Sequence, residues 1–586
     1  MLNTFLRRAE AGEPVFITDV REAFQAEGTR PFHIHVTLYD RTVRVFPLVL
    51  PQVSGKAEAE LATEYIRASL YNILSALGGL RVDIYLDPSD APLWELAERL
   101  NEVFQTDRDK ASRSGYGKCL NVNERVLSAL FQGRERFTLR IFDRKDEPTV
   151  SETDPCAPGR PVFDQLPGRT AGKMILGMDI GGTDVKLVVS IDGRLALCKE
   201  FDWDPSSFTR AEELTGPLLL LTRLLRAAGS LCLTGREDEL DRALLTRRAS
   251  LSELEQGIRA MERAAGESLR NFDAIGLCFP DVVIQNRVVG GETPKTQGMR
   301  SNPELDYEEQ FARITALTDI LADYVIPGGP VRCVNDGPMA AFTAAVEQGA
   351  GGADLSKGFF AHTLGTDLGT GWVRPDGSIP DIPLEVYSFI IDLGSYPQRK
   401  FDPEDIRSVY SSNSGLPGAL QKYGGQSGVF RLAAQDLPRR APAVFQEALD
   451  RGLLRWEGGR LTVPTRPADR RKEALEFFMD QAARSQPAAE IFRRMGEYQA
   501  VVWRETSFIL RPEAQERSLF GRLVKLPACF RLLQEGAARR EPSLRLLAAD
   551  SSLANTPLMR QLDARSDYTV AQFAQAVGAV YYACLE

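Results

Sequence analysis

The sequence has little of what zinc sites and nucleic-acid surfaces require. Its 586 residues include only three histidines, and none of its eight cysteines forms a CxxC pair with another. Structural zinc sites use such Cys and His pairs, so these counts argue against one. His33 and His35 share one face of a predicted strand, where an ordinary polar face is favoured over a metal site because no third ligand is evident nearby. The formal net charge of −9 lacks the basic excess of a nucleic-acid-binding surface.

Two further absences concern secretion and membranes. The N-terminal stretch MLNTFLRRAEAGEPV lacks the apolar segment of a secretory signal. The most apolar run, PLLLLTRLLRAAGSLCL, is interrupted by Arg223 and Arg226, which argues against a membrane span. Dispersed cysteines on apolar segments are typical of a reducing compartment. We therefore expect a cytoplasmic protein that binds neither membrane nor nucleic acid.

The chain is long enough for several domains. With 43% hydrophobic and 26% charged residues it has the composition of a globular protein, and its length predicts about two to four domains. Residues 1–145 alternate strand and helix patterns and predict an N-terminal α/β accessory domain. Residues 146–172 are rich in Pro, Gly and Asp and predict a linker. Helical patterns occupy about 205–270 and, with loops, about 400–540.

The stretch ILGMDIGGTDVKLVVSIDG, residues 175–193, predicts a β-hairpin with unusual residues at its bend. A glycine pair is ordinary in a hairpin, because glycine adopts positive φ without strain. That interpretation leaves Asp179, Thr183 and Lys186 unexplained. A glycine turn beside an acid and a hydroxyl group also suits a phosphate site, where backbone N–H groups approach the phosphate and the carboxylate holds Mg²⁺. Both interpretations remain open for this motif alone.

Two later motifs have similar chemistry. The predicted strand VRCV is followed by Asn335 and Asp336, where an acid can cap a helix and can also be a catalytic group, as acids at strand ends are in α/β folds. The segment HTLGTDLGTGWV then predicts a second glycine hairpin. Two such hairpins could bind a phosphate chain from two sides. The occurrence of both, with the Asn-Asp pair between them, favours the phosphate interpretation.

These motifs resemble those of the ROK family of sugar kinases, within the sugar kinase/actin/Hsp70 superfamily. MDIGGTDVK matches the first phosphate loop of that family, VNDGPMAAFTAA its Asn-Asp segment and LGTDLGTGWV its second phosphate loop, while IGLCFPDVV resembles its substrate strand. LLAADSSLANTPLM and FAQAVGAVYYACL resemble its adenosine loop and closing helix. The resemblance covers roughly residues 174–395 and 543–586.

The resemblance implies a two-lobed, ribonuclease H-like actin/hexokinase fold of the α/β class. The first lobe would be 173–345, with the helical insertion at about 205–270. The second would be 346–586, with the helical insertion at about 400–540. The cofactors it implies are ATP and Mg²⁺, and Asp179 would hold Mg²⁺ through water. The residues implied to bind ATP phosphates are Asp179, Gly181, Gly182, Thr183, Lys186, Gly365, Thr366, Gly369 and Thr370.

The acceptor side resembles the family less closely. Asn335 would hydrogen-bond a sugar hydroxyl, Asp336 would be the general base, and Glu385 would bind the sugar. Ser388 stands where the family has a histidine, and the zinc-binding segment of the family is absent. We therefore expect no zinc and an acceptor pocket unlike that of a standard glucokinase.

The resemblance thus implies an ATP-dependent kinase that acts on a sugar or sugar-like alcohol. Two alternatives remain: an ATPase whose lobe closure acts on a partner protein, and a non-catalytic regulator that binds a sugar or nucleotide. The retained Asn-Asp pair favours the kinase. The identity of the acceptor is left open, as is homodimer formation.

Overall fold

The computed structural model describes residues 2–150, 161–290, 294–394, 400–465, 470–550 and 552–585. The chain divides into two compact units. Unit 1 comprises Met1–Pro155, Ala361–Thr370 and Ile382–Ala549, and unit 2 comprises Cys156–Phe360, Gly371–Asp381 and Asp550–Glu586. Each unit therefore combines segments that are far apart in the sequence.

The N-terminal region is α/β. Its sheet has the order β2-β1-β3-β4, in which β1 is antiparallel to both of its neighbours and β4 is parallel to β3. The elements are α1 (Leu2–Glu10), α2 (Ile17–Glu27), β1 (Arg30–Thr37), β2 (Val43–Leu50), α3 (Lys56–Leu77), β3 (Arg81–Leu86), α4 (Ala91–Glu98), α5 (Leu100–Phe104), α6 (Cys119–Phe131) and β4 (Thr138–Asp143). His33 and His35 both bond to Glu147, each with one ring nitrogen 2.9 Å from its Oε1.

A five-stranded sheet forms the centre of unit 2, with the order β11-β8-β5-β6-β7. Strands β5, β8 and β11 are parallel, and β6 is antiparallel to both β5 and β7. This order and these directions are those of a ribonuclease H-like sheet, and the expected fold class is confirmed. The elements are β5 (Met174–Ile180), β6 (Asp184–Ile191), β7 (Arg194–Asp202), α7 (Ala211–Leu233), α8 (Arg242–Leu245), α9 (Leu251–Ala265), β8 (Ala274–Phe279), β9 (Val283–Ile284), β10 (Arg287–Val288), α10 (Gln297–Arg300), α11 (Tyr307–Thr315), α12 (Leu317–Leu321), β11 (Val331–Asn335) and α13 (Asp336–Ala350).

The remaining chain contains a second sheet, with the order β13-β12-β16-β17. Its β12–β16 and β16–β17 pairs are parallel. The elements are β12 (Phe359–Leu364), β13 (Leu368–Val373), α14 (Gln426–Arg440), α15 (Pro442–Asp450), β14 (Arg455–Glu457), β15 (Arg460–Thr462), α16 (Arg470–Ala482), α17 (Gln486–Leu510), β16 (Arg517–Phe520), α18 (Arg522–Lys525), α19 (Pro527–Arg540), β17 (Leu546–Ala548), α20 (Pro557–Asp563) and α21 (Val570–Tyr582).

The C-terminal helix α21 packs directly on the sheet of unit 2. A Cβ atom on Gly177 would lie 2.1 Å from the carbonyl oxygen of Ala576, and one on Gly276 would lie 1.9 Å from that of Ala579. Glycine on β5 and β8 therefore lets the helix backbone approach the sheet. The sequence-based division assigned this helix to a second lobe at 346–586, whereas the contacts include it in unit 2.

Helix α7 contains the most apolar run of the sequence. Among the described residues it is the one helix long and apolar enough to cross a membrane by length and composition, but 61% of its most apolar window is buried inside the protein. Its Arg223 forms two hydrogen bonds to Glu262, at 2.9 and 2.7 Å. The helix therefore packs as a core element, with its charges paired to α9.

The N-terminal region shares its core with the C-terminal half of unit 1. The guanidinium of Arg21 donates to both carboxylate oxygens of Glu505 at 2.6 and 3.0 Å, and this pair is buried. Asn72 donates to the same carboxylate at 2.9 Å, and the backbone N–H of Val15 donates to Asp392 at 2.9 Å. The sequence suggested a separate accessory domain at 1–145, but these residues form one compact unit with 382–549.

Candidate active site

The acid of the first hairpin lies at the end of β5, with charged and polar neighbours on both sides. Asp179 is opposite Lys186 on β6 and Cys278 on β8. The Cys278 thiol donates to its Oδ1 at 3.3 Å. Desolvation by the surrounding protein raises the pKa of Asp179 to about 6; the thiol and Lys186 lower it, and Asp336 and Asp184 raise it. A cation bound beside this desolvated carboxylate would stabilise its ionised form.

The two glycines of the first hairpin both lie in close contact with other groups, and the contact is with backbone at Gly181. Neither Gly181 nor Gly182 has a positive φ. A Cβ on Gly181 would lie 2.8 Å from the carbonyl oxygen of Asp184, and one on Gly182 would lie 3.1 Å from Cε of Lys295. The explanation of this glycine pair by positive φ is therefore wrong. The turn needs glycine so that other groups can approach its backbone.

Other side chains hold this turn in place. The indole of Trp203 donates to the carbonyl of Gly181 at 2.9 Å, and its backbone N–H donates to that of Thr183 at 3.1 Å. The Lys186 ammonium pairs with Asp184, and the exposed Thr183 hydroxyl lies 3.4 Å from the same carboxylate. The sequence motif predicted Thr183 and Lys186 as phosphate-binding residues but missed Trp203, for which the motif gives no signal. The carboxylate of Asp184 thus partly neutralises the positive charge of Lys186 before any ligand binds.

The Asn-Asp pair is located at the junction of β11 and α13. Asn335 caps the helix: its side-chain oxygen accepts from the backbone N–H of Gly337 at 2.9 Å, and its amide donates to the carbonyl of Asp281 at 2.8 Å. The sequence placed Asp336 near the cap, but Asn335 has this role. Burial raises the pKa of Asp336 above its ordinary value, while Lys295 lowers it. Backbone N–H groups of Gly337 and Asp336 at the start of the helix also lower the pKa of Asp336, so its carboxylate lies at the helix N-terminus beside the Asn335 cap.

Asp179 and Asp336 lie at the same edge of the unit 2 sheet. Strands β5 and β11 are both parallel to β8, which lies between them, so all three carboxyl ends meet at that edge. Neighbouring strands are about 4.8 Å apart, which places the ends of β5 and β11 about 10 Å apart. In open α/β sheets, ligands bind at the carboxyl ends of the strands. The sheet therefore brings both predicted acids to one ligand-binding edge.

The second hairpin, in unit 1, has a tight turn between β12 and β13. The backbone N–H of Gly365 donates to the carbonyl of Asp367 at 3.1 Å, and the Gly365 carbonyl accepts from the N–H of Gln426 at 2.9 Å. A Cβ on Gly369 would lie 3.4 Å from that of Thr363. The N-terminus of α14, from the 400–540 insertion, therefore contacts this turn.

Two polar residues of the second hairpin have partners inside unit 1. The buried Thr370 hydroxyl lies 3.0 Å from Nδ1 of His362, so its side chain faces the interior. The Ser427 hydroxyl donates to the Thr366 carbonyl at 3.4 Å. Burial raises the pKa of Asp367, and Gln421, Arg471 and Lys422 lower it. For Gly365, Thr366, Gly369 and Thr370, the phosphate-binding role stays a prediction.

The segment around Glu385 is held by helix α3 of the N-terminal region. The backbone N–H groups of Leu384 and Glu385 donate to the carbonyls of Ala76 and Ser75, at 2.9 and 3.1 Å. The hydroxyl of Ser388 donates to the Glu385 carbonyl at 2.6 Å. This contact with the N-terminal region was not predicted from the sequence.

Asn72 adds a buried anchor for the same segment. Its amide donates to the Ile390 carbonyl at 3.0 Å, and its oxygen accepts from the Ile390 N–H at 2.7 Å. Asn72 lies in the apolar run LYNILSAL, where a buried polar side chain requires a hydrogen-bond partner. That was the available signal for this contact. The position of the partner, far along the chain, could not be read from it.

The oxygen groups near the first hairpin fit Mg²⁺ better than they fit zinc. Across the described residues, no group of three or more His, Cys, Asp or Glu side chains is arranged to hold a metal ion directly. Mg²⁺ takes oxygen ligands and keeps several of its waters, so it needs only one or two carboxylates together with phosphates. Asp179, with its desolvated carboxylate, suits such a site.

Similarity to known proteins is found among solved structures. No family model matches the chain, and no curated protein matches it. Similar solved structures include a ROK-family glucokinase from Streptomyces griseus, in complex with glucose and AMPPNP, with 15% identity, a TM-score of 0.35, and coverage of 70% of this chain and 98% of that one. A ROK hexokinase from Thermus thermophilus has 16% identity, a TM-score of 0.35, and coverage of 66% and 97%. The strand order and directions of the unit 2 sheet carry the fold assignment, and the resemblance to ROK-family sugar kinases stays a prediction.

Proposed function

We propose that this protein is an ATP-dependent kinase that transfers a phosphoryl group to a hydroxyl of a sugar or sugar-like alcohol. The observation that carries the proposal is the pairing of Asp179 and Asp336 at one edge of the unit 2 sheet. One acid lies beside a glycine turn that suits phosphates, and the other directly follows the end of β11, where Asn335 is the N-cap of α13. Phosphoryl transfer requires such positioning and charge stabilisation more than covalent catalysis.

In the proposed reaction Asp336 is the general base. Its carboxylate accepts the proton of the acceptor hydroxyl as that oxygen attacks the γ-phosphorus of ATP. The bond from the γ-phosphorus to the bridging oxygen breaks, and ADP leaves. Burial raises the pKa of Asp336, which makes it a stronger proton acceptor than an exposed aspartate. Asn335, which already bonds to the backbone on two sides, would orient the acceptor with its remaining hydrogen-bonding capacity.

The first hairpin would bind the phosphates of ATP. Asp179 would hold Mg²⁺ through water, and the ion when bound supplies positive charge to the phosphates. Gly181 and Gly182 place no side chain on this turn, and Thr183 is exposed. Glu385, held by helix α3, would bind the acceptor. With these roles, the first hairpin would bind the nucleotide, and the segment that carries Glu385 would form part of the acceptor pocket.

The proposal is tested by measuring ATP consumption over a panel of sugars and polyols, with a control that contains no acceptor. Asp336→Asn should lower the rate about 10²–10⁴-fold, which is typical for loss of a general base, while ATP binding and thermal unfolding stay unchanged. Asp319→Asn, which changes an exposed acid of the same unit, is the matched control. Near-normal activity of Asp336→Asn would contradict the base assignment. Equal ATP consumption without any acceptor would favour an ATPase instead.

A further inference from the structure

We propose that Lys295 is a further catalytic residue of this site, and that its ammonium group binds the phosphoryl group during transfer. The inference rests on the proposed kinase function and extends it to a residue outside the phosphate motifs. Lys295 lies in the short turn Pro294–Thr296, directly before α10. Its surroundings, all within unit 2, carry the argument.

The side chain of Lys295 lies over the turn of the first hairpin. A Cβ on Gly182 would lie 3.1 Å from Cε of Lys295, 3.8 Å from its Cγ and 3.9 Å from its Cδ. The absence of a side chain at Gly182 therefore leaves room for the lysine stem. The second glycine of the motif thus lies directly beside a lysine stem, within the predicted phosphate site.

The ammonium group lies at the end of β8 and acts electrostatically on Asp336. Its Nζ donates to the carbonyl of Pro280, the residue directly after β8, at 3.3 Å. Its positive charge also lowers the pKa of the Asp336 carboxyl. In the part of the chain that the structure describes, Lys295 forms no ion pair within 4.0 Å. Its charge is therefore close to the base without being neutralised by direct pairing.

The residues after Lys295 fix the position of its backbone. The buried hydroxyl of Thr296 lies 2.9 Å from that of Tyr307 on α11, and Arg300 donates to the same Thr296 hydroxyl at 3.3 Å. The guanidinium of Arg300 lies 5.3 Å from the ring centre of Tyr307. The lysine is thus presented by a packed segment, which limits the reorganisation needed during a reaction.

This placement fits the charge that develops in phosphoryl transfer. As the acceptor oxygen attacks and the bond to the bridging oxygen of ADP breaks, negative charge is spread over the three outer oxygens of the γ-phosphoryl group. A fixed ammonium between the first hairpin and the base can donate hydrogen bonds to those oxygens. The hydroxyl proton still goes to Asp336, and Lys295 keeps its own protons throughout.

The test compares Lys295→Met, Lys295→Arg and the control Lys173→Met, a change to an exposed lysine of the same unit. Steady-state kinetics with the best acceptor from the panel would give kcat and both KM values, and thermal unfolding would check the fold. We expect Lys295→Met to lower kcat by about 10²–10³-fold, as loss of one preorganised donor does, with KM for the acceptor nearly unchanged. Lys295→Arg should be intermediate because it keeps the charge with a different shape.

Three outcomes would overturn the inference, and they can be told apart. If Lys295→Met and Lys295→Arg both keep kcat within about threefold while Asp336→Asn is inactive, the kinase function stands and the lysine assignment is wrong. If only KM for the acceptor rises, Lys295 binds the acceptor and not the transferred group. If the wild-type protein phosphorylates no acceptor, the proposed function fails together with the inference. Should Lys295→Met unfold, Lys295→Arg and Lys295→Gln decide by the same criteria.

Discussion

His362, the histidine on strand β12 of the second hairpin, allows a test of how the free energy of unfolding depends on pH. His362 is buried, with 2% of its surface exposed, and one ring nitrogen lies 3.0 Å from the Thr370 hydroxyl. Burial, with a smaller contribution from Arg517, lowers the pKa of His362 to about 3 against an opposing backbone hydrogen bond with Gly369. An unfolded histidine has a pKa of about 6.5. The unfolded state therefore binds the proton more readily.

The sign and size of the effect follow from that difference. The stability contribution of the neutral ring is fully present above pH 6.5 and is lost as the pH falls from 6.5 towards 3. pH 5 is about 1.5 units below the pKa of an unfolded histidine. Protonation there lowers the free energy of the unfolded state by about 2 kcal/mol relative to the folded state. The wild-type protein should therefore lose about 2 kcal/mol more of its unfolding free energy between pH 7.5 and 5.0 than a variant without this histidine.

The assay is equilibrium urea unfolding, followed by circular dichroism at both pH values. His362→Asn should unfold at lower urea than the wild type at pH 7.5, but its loss between the two pH values should be smaller by about 2 kcal/mol. Thr370→Val is the control: it removes the partner hydroxyl but leaves a buried ring, so the pH-dependent loss should remain. If His362→Asn loses as much stability as the wild type, the ring does not stay neutral in the folded protein and the reasoning is refuted.

Two further predictions concern the phosphate and acceptor sides. Asp179→Ala should weaken the binding of Mg·ATP far more than that of the acceptor, because only the nucleotide is held through the ion; calorimetric titration of each ligand checks this, and equal losses would mean a purely structural role. Asn72→Ala leaves the backbone groups of Ile390 without their side-chain partner and should destabilise unit 1 by about 1–3 kcal/mol. It should also raise KM for the acceptor more than KM for ATP, because it releases the segment that carries Glu385; an equal rise in both would contradict this positioning role.

The fold and the two acids could be predicted because local patterns determine them. An acid directly after a buried strand is visible in the sequence, and parallel strands then bring Asp179 and Asp336 to one edge. The order of hairpin, strand and Asn-Asp pair is likewise a feature of the linear sequence. These signals do not depend on where distant side chains pack.

The remaining features of the site depend on contacts that are distant in sequence. The stem of Lys295 packs against Gly182, and no spacing rule links these two positions. The Thr370 hydroxyl follows a glycine, as a phosphate-binding group would, but its partner is the buried ring of His362 on the preceding strand, β12. Pattern reasoning gives the type of each residue and its place on an element. It does not give the direction in which a side chain points.

The N-terminal region shows the same limit at the scale of domains. Its strand and helix pattern suggested a separate module, since nothing local distinguishes an accessory domain from part of a shared core. The buried Arg21–Glu505 pair joins residues 484 positions apart, and a buried charge that loses its partner is strongly destabilising. Asn72 then connects that pair to the segment that carries Glu385, since it bonds to both Glu505 and Ile390. The N-terminal region is therefore part of the structure that supports the predicted acceptor residue, and a change to the acceptor pocket can arise from residues far from the kinase motifs.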